Sequence, residues 1–171
     1  MLIDREGLPN GCGSAFPTLL HSLAVAIHLE KKSDYVYGKL NEAFNIDYVL
    51  GADMFTPKGV FDKLKGFDES FFMYFEESDL QRRANKIGLG ARIIPGPRIV
   101  HLEGKSTGGI SHKKRMMVEK SHMIHLRKHY SRITFNLFLM IYIILKTPVF
   151  LTRHYTLRDN KEYFKMLISA L

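Results

Sequence analysis

Hydrophobic and polar positions follow two different regimes along the chain. Up to about residue 110 the apolar runs are short and broken by glycine and proline, and beyond it they follow helical spacing. Gly7, Pro9, Gly11, Gly13 and Pro17 punctuate an opening loop, after which the apolar run 18–29 predicts a short helix. Residues 31–47 are polar and read as a connecting segment. The β-rich run 48–55 (Tyr-Val-Leu-Gly-Ala-Asp-Met-Phe) predicts a buried strand, its glycine allowing close approach of a neighbouring backbone or ligand. Pro57 suits the first turn of a helix over 58–64 that Gly66 ends.

Residues 67–75 set five aromatic residues beside acidic ones, and 76–86 reads as a helix with acidic residues first and basic ones later, in accord with the helix dipole. Gly88 and Gly90 stop it. Two short strands are predicted at 91–94 and 98–102 around Pro95-Gly96-Pro97, followed by a loop over 104–109. This order of strands and helices points to an α/β domain over 1–110. From residue 111 the pattern turns helical: Met116, Met117, Met123, Ile124 and Tyr130 form an apolar stripe among basic residues. Residues 133–145 are then almost wholly apolar, about 20 Å of helix against a hydrocarbon core of roughly 30 Å. The C-terminal segment 111–171 is thus expected to form basic and apolar helices.

Composition narrows the class. The chain has 171 residues, 46% hydrophobic and 25% charged, which suits a globular protein and excludes disorder and a disulfide mini-protein. The single Cys12 and the absence of an early basic-then-apolar leader predict a reducing, cytoplasmic setting. The net charge of +8 is uneven: residues 1–104 carry 12 basic and 14 acidic side chains, residues 105–171 carry 13 and 3. A basic C-terminal third predicts an anionic partner such as phospholipid, nucleic acid or a polyanionic product. Nucleic acid ranks low, because the aromatic residues cluster at 71–75 in the acidic part and do not interleave with the basic stretch. An anionic membrane surface, met by 111–151 without spanning, stands beside plain packing of the apolar run on the α/β body.

Candidate chemistry centres on Glu76, Glu77 and Asp79. On a helix Glu76 and Asp79 share a face while Glu77 points about 100° away, so one carboxylate could act on a substrate while the others support it; ordinary first-turn capping is the alternative. His101, ending a strand beside a glycine loop, could ligate a metal or touch a phosphate, or could be a partly buried histidine bonded to backbone. His122, His125 and His129 share a helix face but no Glu or Cys joins them, which favours a solvated basic face. Residues 104–109 lack the GxxxxGK[ST] spacing of a phosphate loop, and no serine or cysteine sits in a nucleophile-elbow context.

Taken together, Gly51-Ala52, Lys65-Gly66-Phe67-Asp68-Glu69, the run 71–80 (Phe-Phe-Met-Tyr-Phe-Glu-Glu-Ser-Asp-Leu), Gly88, Pro95 and 101–106 resemble the C-terminal half of family-2 glycosyltransferases, especially their rhamnosyltransferase-like branch. The resemblance is clearest over 49–106. It implies part of a GT-A (nucleotide-diphospho-sugar transferase-like) α/β domain followed by C-terminal helices. It also implies transfer of a sugar such as rhamnose, with inversion, from a nucleotide-sugar donor to a lipid-linked or polysaccharide acceptor. The family's base position falls on Glu77, with Glu76 and Asp79 beside it; its metal- or diphosphate-binding histidine falls on His101; Gly51, Ala52, Phe67 and Asp68 would line the sugar and acceptor side.

Glu77 stands where the family usually has Asp, Lys65 replaces the first glycine of GGFDE, Thr56-Pro57 replaces a basic pair, and no DxD is present. The resemblance therefore implies the portion that follows the donor-binding half, with a divalent cation (Mg²⁺ or Mn²⁺) engaged only when that half is supplied. It also implies an exposed sheet edge suited to that half or to self-association. A catalytically silent remnant serving as a membrane-peripheral binding subunit is the competing expectation.

Overall fold

A computed structural model describes residues 2–8, 10–29, 42–101, 112–152 and 157–169. They fall into two compact units. The first lies within Met1–Phe16, Ser33–Phe71 and Phe75–Ile110, the second within Pro17–Lys32, Phe72–Tyr74 and Ser111–Leu171. Described residues 17–29 thus group with the C-terminal helices.

The first unit is built from three two-stranded ladders and two helices. Strand β1 (Leu2–Ile3) pairs in parallel with β6 (Ile99–Val100), β2 (Gly13–Ser14) runs antiparallel to β4 (Tyr48–Val49), and β3 (Phe44–Ile46) runs antiparallel to β5 (Ala91–Ile93). Cys12 and Ile93 are buried together, with Ile3, Phe44, Ile46 and Val49 packed around them. In β3, Phe44 and Ile46 alternate with exposed Asn45, so a strand occupies part of the expected polar connector; residues 31–41 lie outside the described residues. The strand expected over 48–55 is shorter than its composition suggests. It ends at Val49, and Gly51–Asp53 turns into a single 3₁₀ turn. The loop predicted at 104–109 also lies outside the described residues.

Helix α2 (Lys58–Lys63) begins directly after Pro57, whose φ of −57° is already helical. It ends where Lys65 and Gly66 both adopt positive φ and the Gly66 amide donates to the Phe61 carbonyl at 2.9 Å. Helix α3 (Glu76–Asn85) buries Ser78, Asp79 and Leu80 and packs on β4.

The second unit is a helical bundle. Helix α1 (Leu19–Ala26) is capped by Thr18, whose hydroxyl accepts from the His21 amide at 3.1 Å. Helices α4 (His112–His129), α5 (Arg132–Thr152) and α6 (Leu157–Ile168) complete the bundle. Its core contains Ala26, Met123, Leu126, Phe135, Phe138, Leu139, Tyr142, Tyr163 and Leu167. One carboxylate lies inside it. Glu119 is 3% exposed and accepts hydrogen bonds from the Tyr142 hydroxyl and, at 3.0 Å, from the Tyr163 hydroxyl. Burial, and after it the Glu119 charge, pushes both phenols well above their usual range, so they serve as permanent donors. On the same helix as Tyr142, buried Lys146 places its ammonium 5.3 Å from the Tyr142 ring centroid.

Two substitutions test these packing arguments. A Cβ at Gly13 would collide with the Tyr48 carbonyl oxygen across the β2–β4 ladder. Gly13→Ala should therefore cost about 1–3 kcal/mol in denaturant unfolding, and an unchanged midpoint would show that the ladder does not need this close approach. Tyr163→Phe should cost about 1.5–3 kcal/mol by removing one donor from a buried carboxylate. Thermal unfolding followed by circular dichroism checks this, and a loss no larger than that of an exposed Tyr→Phe change would count against the Glu119 arrangement.

Candidate active site

The candidate carboxylates open α3 in an unusual backbone setting. Tyr74 and Phe75 both adopt left-handed conformations (φ 69° and 68°), and Phe75 occupies the N-cap position with no side-chain cap. A bulky residue in that region is costly, roughly 1–2 kcal/mol, and two in succession just before Glu76 and Glu77 mark a local shape that the surrounding packing enforces.

Glu77 lies against Gly51. A Cβ built on Gly51 would meet the Glu77 Cβ at 3.7 Å and its Cγ at 3.8 Å, so the 3₁₀ turn after β4 rests directly on the glutamate stem. Burial holds the Glu77 carboxyl above its ordinary value of 4.5, and the neighbouring Glu76 charge adds to the effect. Backbone N–H groups of Glu77, Gly51 and Ser78 pull the other way without cancelling it. Its Oε2, like the Glu76 Oε2, is buried and makes no hydrogen bond among the described residues. Capping and chemistry are thus not exclusive at Glu77: the carboxylate meets amides of its own first turn and still keeps an oxygen without a partner.

Asp79 has a different task. It is completely buried, and its Oδ2 is 2.8 Å from Arg83 Nε in an i,i+4 ion pair. Arg83 in turn donates to the Leu64 carbonyl and, at 2.8 Å, to the Gly66 carbonyl. Asp79 therefore holds, through Arg83, the turn that ends α2. The turn leads into Phe67 and Asp68. Phe67 is partly exposed and packs edge-on against Phe61 at 5.5 Å, while Asp68 Oδ1 accepts from the Ser70 amide at 2.9 Å. Asp68 thus shapes its own loop. Ala52 is exposed within the 3₁₀ turn.

Gln81 is a positioning residue that the sequence did not single out. Its Oε1 accepts from the Val49 amide at 2.8 Å, and its Nε2 donates to the Val49 carbonyl at 2.8 Å and to the Glu77 carbonyl at 3.0 Å. One amide side chain thereby serves β4 as a neighbouring strand would and ties it to the turn that carries Glu77. The available signal was its spacing of four residues after Glu77, which puts both on one side of a helix.

His101 follows β6; its amide donates to the Ile3 carbonyl at 2.9 Å and its carbonyl accepts from Asn10 Nδ2 at 3.3 Å. Among the described residues no three His, Cys, Asp or Glu side chains come together in a way that could hold a metal ion. Of the helical histidines, His125 is buried against the His129 ring (4.7 Å between centroids) and His122 Nε2 lies 3.1 Å from Ser22 Oγ. The solvated basic face expected for them is therefore partly a packed one.

Over 63 residues the chain is 32% identical to the N-acetylglucosaminyl-diphospho-decaprenol L-rhamnosyltransferase of Mycobacterium tuberculosis, in each of two strains. The match covers 37% of this chain and 20% of the relative, so the chain spans about a fifth of that protein's length. No protein-family model and no solved structure matches the chain. The likeness supports a glycosyltransferase-like function.

The site carries a stability signature that is measurable without any substrate. The Glu77 carboxyl binds its proton more tightly folded than unfolded, so it costs no stability where it is protonated in both states. As pH rises through the folded pKa, ionisation becomes easier in the unfolded chain and stability is lost. Glu77→Gln should therefore melt above the wild type near neutral pH, with the gap closing below about pH 4. A gap independent of pH would remove the raised proton affinity from the account.

Proposed function

We propose that this chain is the acceptor-side, catalytic-base portion of a GT-A glycosyltransferase. In this reading a sugar such as rhamnose passes with inversion from a nucleotide-sugar donor to a lipid-linked or polysaccharide acceptor. The observation that carries the reading is Glu77: a largely buried carboxylate of raised proton affinity, resting on Gly51, with one oxygen free of hydrogen bonds. A general base works best when its pKa moves towards the working pH, and burial moves Glu77 in that direction.

In the proposed step the acceptor hydroxyl gives its proton to Glu77 as its oxygen forms a bond to the anomeric carbon. The bond from that carbon to the nucleoside diphosphate breaks on the opposite face, and the diphosphate leaves with the electron pair. Gly51 and Ala52 border the acceptor, and Phe67 and Asp68 border it from the loop that Arg83 holds. The donor nucleotide and its divalent cation are assigned to a donor-binding half, and no step here passes through a cation held by this chain.

Assembly of the chain with a candidate donor-binding half tests the proposal. Glu77→Gln should lower kcat by roughly two orders of magnitude or more while leaving the fold intact, and Glu77→Asp should retain part of the rate. Normal turnover by Glu77→Gln would overturn the assignment. Failure of any folded assembly to transfer sugar would favour a silent binding subunit.

A further inference from the structure

Helix α5 is apolar on two opposite sides, and the bundle uses one of them. Phe135, Phe138, Leu139 and Tyr142 are buried together with Lys146, whereas Ile133, Leu137, Met140, Ile141 and Ile144 are 47–76% exposed. At about 100° per residue the exposed five fall within an arc of about 100° centred roughly opposite the buried set. A soluble amphipathic helix places polar residues on that outer arc. Here the arc holds no side-chain hydrogen-bonding group, and Pro148 continues it towards the C-terminus.

The α4–α5 segment is strongly cationic, while Asp159 and Glu162 are the acidic residues of α6. Residues 112–152 contain eight Lys and Arg but a single carboxylate, Glu119, and that carboxylate is buried beneath two tyrosines. At the α4–α5 corner Arg127, Lys128 and Arg132 are exposed. No helix among the described residues is long and apolar enough to cross a membrane.

We propose that this outer face of α5 docks flat on an anionic lipid surface, its five apolar side chains entering the headgroup–acyl boundary and the corner cations meeting lipid phosphates. Aliphatic insertion beside cationic side chains is the chemistry of interfacial helices. Protein interfaces instead carry about one hydrogen bond per 100–200 Å² and anchor on aromatic residues and Arg, which this arc lacks. A second copy of the chain would bring like charges together at the same corner. The proposal is independent of the glycosyltransferase reading and needs no catalytic residue.

Because the chain contains no tryptophan, Leu137→Trp makes the stripe report on itself. With the full chain and vesicles of phosphatidylcholine containing about a third phosphatidylglycerol, its emission should shift to the blue. The shift should be weaker on phosphatidylcholine alone and partly reversed by salt. Ile144→Trp serves as a second reporter should the first fail to fold. In vesicle flotation, the pair Ile141→Ser and Ile144→Ser should reduce partitioning roughly tenfold or more, as should the pair Lys128→Glu and Arg132→Glu, each with an unchanged circular dichroism spectrum. The proposal is overturned by a folded reporter that does not shift on anionic vesicles, or by flotation that survives loss of the stripe. A blue-shifted reporter in lipid-free dimers seen by sedimentation would assign the stripe to a second copy instead.

Discussion

Gln81 satisfies both backbone groups of Val49, and much of the first unit's order follows from that pair of hydrogen bonds. Strand β4 has two residues and pairs on one side with the equally short β2, too little ladder to hold a register by itself. By supplying a donor and an acceptor from α3, Gln81 gives β4 a second edge partner. It also fixes where the following Gly51–Asp53 turn meets the Glu77 stem. Two residues further along α3, Arg83 does the same for the end of α2 through the Leu64 and Gly66 carbonyls, with Asp79 neutralising it inside the unit. One short helix thus presents the candidate base in its first turn and anchors the surrounding loops from its second. Such a division of labour ties site geometry to helix integrity.

The sequence made the helices and the first-turn carboxylates readable, because acidic-then-basic patterning and glycine stops are local signals. It overstated the strand at 48–55, where Gly51 lets the chain turn away after Val49, and it missed β3. Three residues, Phe44-Asn45-Ile46, give too few positions for alternation to stand out from a polar linker, and only pairing with β5 makes them a strand. Residues 17–29 show the same limit at a larger scale. Their helical pattern is local, but their membership of the C-terminal bundle depends on long-range packing.

Charged residues were hardest to place. Asp79 and Glu77 look alike in sequence, yet Asp79 has an arginine four residues on and becomes a completely buried ion pair, whereas Glu77 has Gln81 there and retains an oxygen without a hydrogen bond. The identity of the residue at i+4 thus separates a structural carboxylate from a candidate base. Glu119 makes the same point in the second unit. It lies between Val118 and Lys120 in the sequence, and two distant tyrosines enclose it inside the bundle.

A buried carboxylate is kept in a fold only when it is neutralised, hydrogen-bonded, or useful in its unfavourable state. Asp79 meets the first condition through Arg83 and Glu119 the second through Tyr142 and Tyr163. Glu77 meets neither in full: three amides favour its charge, but desolvation and Glu76 outweigh them, and the backbone just before it is held in two left-handed conformations. Two independent departures from the most stable arrangement therefore converge on the first turn of α3, where Glu76 also keeps a buried oxygen without a hydrogen bond. Stability arguments account for the other two carboxylates without appeal to chemistry. At Glu77 the same arguments leave a deficit, and a carboxylate perturbed without a structural reason is a candidate for chemistry.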